Sequence, residues 1–119
     1  MNCCDVVIYE LSDKDFSDDG KSLNVRSPYM LVLFKMNGCP HCEHFLPTWE
    51  KLATNYQQGK KCVCFGEVEI TKRNVTKVRD VHGFPTIRLY NNVNKRVYEY
   101  RGDRSYNDVT KFLYTHVKE

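Results

Sequence analysis

Cys39 and Cys42 stand three positions apart, with Pro40 and His41 between them. Two thiols at that spacing suit one of two chemistries. As thiolates they exchange with disulfides, because only the deprotonated sulfur is a nucleophile. Alternatively they supply half of a tetrahedral metal site. Cys62 and Cys64 would then complete a loose zinc-binding set, with 19 residues between the two pairs.

The flanking residues say what must hold the pair. Residues 29–36 are a near-continuous apolar run, as in a strand covered on both faces. Beyond the pair, Cys42, Phe45, Leu46, Trp49, Leu52, Ala53 and Tyr56 recur at helical spacing, which predicts a helix over about 40–58. Pro40 suits its first turn. Pro47 removes the N–H that would bond the Glu43 carbonyl and predicts a kink. Gly59 is the expected stop. The dithiol therefore lies where a strand hands over to a helix.

Elsewhere, residues 4–11 and 62–70 read as strands. Ser12 reads as the cap of a short helix anchored by Phe16 and ended by Asp19-Gly20. Residues 74–81 predict another short helix with Val75, Val78 and Val81 facing inward. Residues 86–90 and 96–100 read as a strand pair joined by an asparagine-rich turn. Ser105 caps a last helix with Val109, Phe112, Leu113 and His116 on one side. The order predicts an α/β fold, with a mixed sheet of about five strands flanked by about four helices.

A chain of 119 residues is read as one domain, 1–119. The net charge of +3 is uneven: the first twenty residues hold six acids against Lys14, and the rest holds 17 bases and 9 acids. The bases are scattered, which suits a solvated surface and gives no reason to expect nucleic acid as a partner. No apolar run approaches the roughly 20 residues that a membrane span needs. Val6-Val7-Ile8-Tyr9 is stopped by Glu10, so it does not read as a secretory segment. The expectation is a cytoplasmic, mostly reduced monomer, with a virus-assembly setting as one variant. In that setting Cys3-Cys4 would be an exposed start. Cys62 and Cys64, which leave a strand on one side, would be buried thiols, or else a second redox pair.

The order of elements, with Cys-x-x-Cys at the end of the second strand, resembles the thioredoxin fold. Phe34-Lys35-Met36-Asn37-Gly38-Cys39-Pro40-His41-Cys42 is similar to that family's active-site segment, and Pro47 matches its helix proline. Gly83-Phe84-Pro85-Thr86 matches the loop whose proline is cis and faces the dithiol. Tyr98-Glu99-Tyr100-Arg101-Gly102-Asp103-Arg104 is similar to the ending of protein disulfide isomerase catalytic domains. The resemblance implies that Phe84, Pro85 and Thr86 line the substrate, and that Arg104 swings in to lower the pKa of Cys42. Pro40-His41 resembles the pair of strongly oxidising disulfide-forming enzymes, with a His41 imidazolium stabilising the Cys39 thiolate. His44 reads as surface. One departure stands out. The family's buried acid, six positions before the first cysteine, is here Leu33, and the region of its basic partner reads Gly66-Glu67. The acid–lysine pair is therefore expected to be missing, with Glu67 a candidate substitute.

Helix-start physics assigns the roles. Cys39, just before the first turn, faces unpaired amides and becomes the nucleophile; Cys42, one turn on, is the resolving thiol. The reading is a thiol–disulfide oxidoreductase of the oxidase or isomerase kind, with no cofactor beyond the Cys39–Cys42 pair and no metal. Its partners would be proteins with cysteines or disulfides and an unidentified electron donor or acceptor. Tyr9, Trp49 and Tyr90 join Phe84 as apolar candidates for the substrate surface. The alternatives are a thioredoxin-type reductase, a zinc-binding module, or a redox-idle adaptor.

Overall fold

A computed structural model describes residues 4–24, 27–57, 62–70 and 75–117. Five strands form its sheet: β1 (Tyr9–Glu10), β2 (Tyr29–Lys35), β3 (Val63–Glu69), β4 (Thr86–Asn91) and β5 (Arg96–Tyr100). Their spatial order is β1-β3-β2-β4-β5. β1, β3 and β2 run parallel; β4 and β5 are antiparallel. Two α-helices are described, α1 (Pro40–Gln57) and α2 (Tyr106–His116), with a 3-10 turn at Asp13–Asp15.

β2 is the central strand, and its side chains divide by parity. Leu31 and Leu33 face α1 and α2, packing with Phe45, Trp49, Leu52, Phe65, Val109 and Leu113. Met30, Val32 and Phe34 face the other way, onto Leu11, Phe16, Cys64 and Tyr90. Because both faces are covered, the strand has no polar alternation, as its sequence suggests. α1 buries Cys42, Phe45, Trp49, Leu52 and Ala53, which is the expected helical face. Pro47 lies inside the helix, on its exposed side. Ser105 caps α2 by accepting from the Asp108 amide at 3.2 Å. Gly59 lies outside the described residues.

The structure corrects three elements. The short helix expected from Ser12 to Asp19-Gly20 is only a 3-10 turn at Asp13–Asp15, and Phe16 leaves it to bridge with Leu23. The first strand shrinks to Tyr9–Glu10, paired with Gly66 and Glu67. Val6 and Val7 are exposed and lie outside the sheet, although Cys4 before them is buried. Residues 75–81 are not helical (Asn74 lies outside the described residues). Their backbone is held by side chains instead. The Asp13 carboxylate accepts from the amides of Thr76 and Lys77 at 2.7 and 3.1 Å. The Arg88 guanidinium donates to the carbonyls of Arg79 and Asp80. Asp80 sits at φ 67°, a left-handed conformation that a helix does not contain. The three valines nevertheless pack against the second core cluster as their spacing predicts.

The cysteines away from the pair also differ from expectation. Cys4 is buried and bonded to Cys64, with a Cα–Cα distance of 5.7 Å across 60 residues of chain. Cys62 is disulfide-bonded too. These are neither buried free thiols nor, at Cys4, an exposed start. The bond joins the beginning of the chain to β3 on the sheet face away from α1.

Two stability changes are expected, both read by denaturant unfolding. Cys4→Ala with Cys64→Ala should cost about 2–4 kcal/mol, because the bond closes a long loop in the unfolded chain. Gly20→Ala should cost roughly 1–3 kcal/mol, since Gly20 has φ 71° and a Cβ there would lie 2.3 Å from the Lys77 carbonyl oxygen. Gly83→Ala, with open space at its Cβ, should be near neutral.

Candidate active site

β2 ends at Lys35, and the chain turns through Met36, Asn37 and Gly38 before α1 begins. Gly38 has φ 81°, which the turn requires and side chains disfavour. The Asn37 amide donates to a Glu69 carboxylate oxygen at 2.8 Å, and the Cys39 amide to the Met36 carbonyl at 3.2 Å. Cys39 then occupies the helix cap position. Its carbonyl accepts from the Glu43 amide at 3.0 Å, the first bond of α1. Its sulfur accepts from the Cys42 amide at 3.4 Å, as a capping oxygen would. The Cys-x-x-Cys spacing is thus the spacing of a helix cap and the third helical residue. Pro40 fills the first position, whose missing N–H costs nothing there.

The two sulfurs have opposite surroundings. Cys39 is 9% exposed and Cys42 is 2% exposed; both are free thiols. The Cys39 pKa is lowered, foremost by the Cys42 side chain donating to its sulfur, then by the Cys42 and His41 amides, with the Arg104 charge contributing less. The Cys42 thiol is pushed up to about 11, foremost by burial and then by its bond with Cys39; Glu69 adds to the rise. Of the two thiols, Cys39 therefore gives up its proton more readily and Cys42 holds its own more firmly.

Pro85 follows a cis peptide bond from Phe84. The Phe84 carbonyl lies 3.7 Å from the Cys39 sulfur and accepts from it when the thiol is protonated. Phe84, Pro85 and Thr86 are half-buried, and Thr86 donates to the Gly83 carbonyl at 2.6 Å. The loop and the dithiol meet because β4, which follows the loop, pairs with β2, which precedes the dithiol; Phe34 is opposite Thr86.

Other expected residues are placed differently. His41 and His44 are exposed, and the His41 backbone N–H is among the groups that lower the Cys39 pKa. Arg104 is exposed and acts on Cys39, where Cys42 was the expected target. Trp49 and Tyr90 are fully buried core residues, not substrate surface. Tyr9 is half-buried on the edge strand β1, with its hydroxyl accepting from the Asp5 amide.

Glu67 is committed elsewhere: it pairs with Lys35 at 3.0 Å and accepts from the Trp49 indole at 3.1 Å. An acid–lysine pair is therefore present on the two strands that lead to the site, with its strands exchanged. The lysine is on β2 and the acid on β3. Lys35 shares the parity of Leu33, and Glu67 is opposite Leu33 in register, so two-residue alternation was the signal that could have found the pair. Glu69, also missed, has the same parity as Glu67.

The four sulfurs of a zinc set are not assembled, because Cys62 and Cys64 are held in disulfides.

A family model described as thioredoxin matches residues 7–115. The Drosophila melanogaster thioredoxin domain-containing protein 5 homolog is 37% identical over 85 residues, which is 69% of this chain and 20% of that protein. A protein disulfide-isomerase of Medicago sativa is 27% identical over 109 residues, or 89% of this chain and 20% of that protein. The chain thus spans about a fifth of the length of these relatives. Among solved structures, the J-Trx1 fragment of ERdj5 aligns at a TM-score of 0.71 and 22% identity, covering 95% of this chain and 53% of that one. Human ERp44 in its zinc-bound form gives 0.72 and 19%, with coverage of 91% and 30%. At those identities the structures attest to the fold.

The asymmetry of the pair has a measurable pH signature. Alkylation of Cys39 should show a midpoint below the ordinary thiol value of about 8.5, while Cys42 stays unmodified until the pH nears about 11. Cys42→Ala removes the foremost cause of the lowering, so the Cys39 midpoint should rise; mass spectrometry of the modified peptides reads both.

Proposed function

This chain belongs to the thioredoxin family, and from that premise we propose that it exchanges disulfides with the cysteines of protein substrates, in the oxidising or isomerising direction. The observation that carries the reading is the helix-capping sulfur of Cys39, held as the better thiolate beside a buried, protonated Cys42. Relatives that are named protein disulfide-isomerases support the direction.

The exchange runs in two displacements. With Cys39 and Cys42 joined, a substrate thiolate attacks the Cys39 sulfur and the Cys42 sulfur leaves, taking up a proton. A second substrate thiolate then attacks the substrate sulfur of this mixed disulfide, and Cys39 leaves as a stabilised thiolate. The substrate loses two electrons and the dithiol gains them. A lowered Cys39 pKa makes it the better leaving group and favours the reduced dithiol, so the disulfide form is the stronger oxidant. Isomerisation begins instead from the dithiol, with the Cys39 thiolate attacking a substrate disulfide. The pair itself is the redox group. An electron acceptor that regenerates the disulfide is a necessary partner of the oxidising direction.

We also infer an oxidising setting in place of the reduced cytoplasm suggested by the sequence. The buried Cys4–Cys64 bond supports this, since such bonds persist where thiols are not kept reduced. The domain is taken to work as a monomer, without nucleic acid or membrane.

Two measurements test the reading. Incubated with a reduced, unfolded protein in oxidised buffer, Cys42→Ser should accumulate a mixed disulfide that Cys39→Ser does not; equal trapping by both, or by neither, would remove Cys39 as the nucleophile. Equilibration with glutathione should give a potential of about −120 to −180 mV, whereas a value near about −270 mV would make the domain a thioredoxin-type reductase.

A further inference from the structure

Beside the cis-Pro85 loop lies an open groove of about 700 Å³. One wall is the loop itself, Phe84, Pro85 and Thr86, whose Phe84 carbonyl touches the reactive sulfur. The other walls carry three arginines, Arg88, Arg101 and Arg104, against two carboxylates, Asp80 and Glu99. The distribution is more lopsided than that count. Arg88 and Arg101 share the single carboxylate of Glu99, at 3.0 and 3.4 Å. Arg88 is otherwise occupied by two backbone carbonyls and lies over the Phe34 ring, so its role is internal. Arg101 keeps 81% of its side chain in solvent, and its contact with Glu99 leaves further donors on the guanidinium. Arg104 has no ion pair among the described residues and is also exposed. Two guanidiniums therefore face a groove whose Phe84 wall lies against the Cys39 sulfur, and three arginines against the carboxylates of Asp80 and Glu99 leave it net positive.

Any peptide whose cysteine reaches the Cys39 sulfur must run past the cis-Pro loop, since the Phe84 carbonyl lies against that sulfur. At about 3.3 Å per residue in extended form, side chains two or three positions from the reacting cysteine are about 7–10 Å away. That is the scale of the groove. We propose that the groove selects protein substrates carrying aspartate or glutamate close to the reacting cysteine, with Arg101 and Arg104 as the selecting side chains. This rests on the reading of Cys39 and Cys42 as a thiol–disulfide exchange site. Carboxylates are favoured over other anions of a protein because the guanidinium fork matches them in two parallel hydrogen bonds. The selection acts chiefly on affinity and encounter.

The test uses short peptides with one cysteine flanked by glutamates, glutamines or lysines. The oxidised protein is reacted with each, and the rate of Cys39–Cys42 reduction is followed. In parallel, the same peptides with serine for cysteine are titrated onto the protein and the backbone amide shifts are read by NMR. Glutamate-flanked peptides should react and bind about three-fold or more better than glutamine-flanked ones, and lysine-flanked ones worse. The preference should shrink as salt rises from 0.1 to about 1 M and the screening length falls from about 10 to about 3 Å. Arg101→Gln should abolish most of it, whereas Lys111→Gln, on the exposed side of α2, should not. Equal behaviour of the three peptides would overturn the proposal, as would a preference that survives Arg101→Gln or that Lys111→Gln removes equally. Exchange without any charge preference leaves the redox reading standing and removes the groove's role. Acid-selective binding with no exchange for any peptide does the reverse.

Discussion

A sulfur atom takes the place of a capping oxygen at the start of α1, and the rest of the site depends on that substitution. A helix start has amide protons without helical partners. Serine or aspartate usually meets them; here Cys39 does, accepting from the Cys42 amide at 3.4 Å. The bond favours negative charge on the sulfur, and the second thiol is fixed one turn along at the residue whose amide does the donating. Reactivity and secondary structure are therefore one interaction. Weakening the helix start weakens the thiolate, and protonating the thiolate weakens the cap.

The sheet supplies what a capped helix cannot, which is a second surface for the sulfur to face. β2 delivers the dithiol at its C-terminal end, and β4 pairs with β2 so that the cis-Pro85 loop arrives at the same end. Burial on both faces of β2 makes that alignment stiff. The loop itself is approached through residues 75–81, which are held by the side chains of Asp13 and Arg88 instead of a ladder of backbone bonds. The reactive sulfur is thus anchored by regular structure, while the surface opposite it is anchored by a few long-range side-chain contacts.

That contrast explains what could be read from the sequence. α1, β2, the β4–β5 pair and the cis-Pro85 loop are recorded locally, in apolar spacing and in prolines at telling positions. Their stabilising contacts follow the chain's own period. Residues 75–81 have helical apolar spacing and still form no helix: Asp80 is left-handed, and distant side chains hold the backbone, Asp13 on the Thr76 and Lys77 amides and Arg88 on the Arg79 and Asp80 carbonyls. Nothing local records those partners. The cysteine pairing was illegible for a related reason: connectivity follows from how the chain closes, not from spacing. The Lys35–Glu67 pair lay between these cases. Its residues were visible and their parity was calculable, but the resemblance directed attention to Leu33, where the acid is usually found.

The Cys4–Cys64 bond has a consequence for how the molecule comes into being. Cys64 lies beside Met30 near the start of β2, and Cys39 follows the strand's other end, about 17 Å away at the usual rise per residue. One disulfide is sealed in the core and the other chemistry opens to solvent, with the length of a strand between them. Cys64 is 1% exposed, so its bond forms most readily while the second core cluster is still open. On the proposed function, a folding copy of this chain is itself a substrate of the class that a mature copy oxidises.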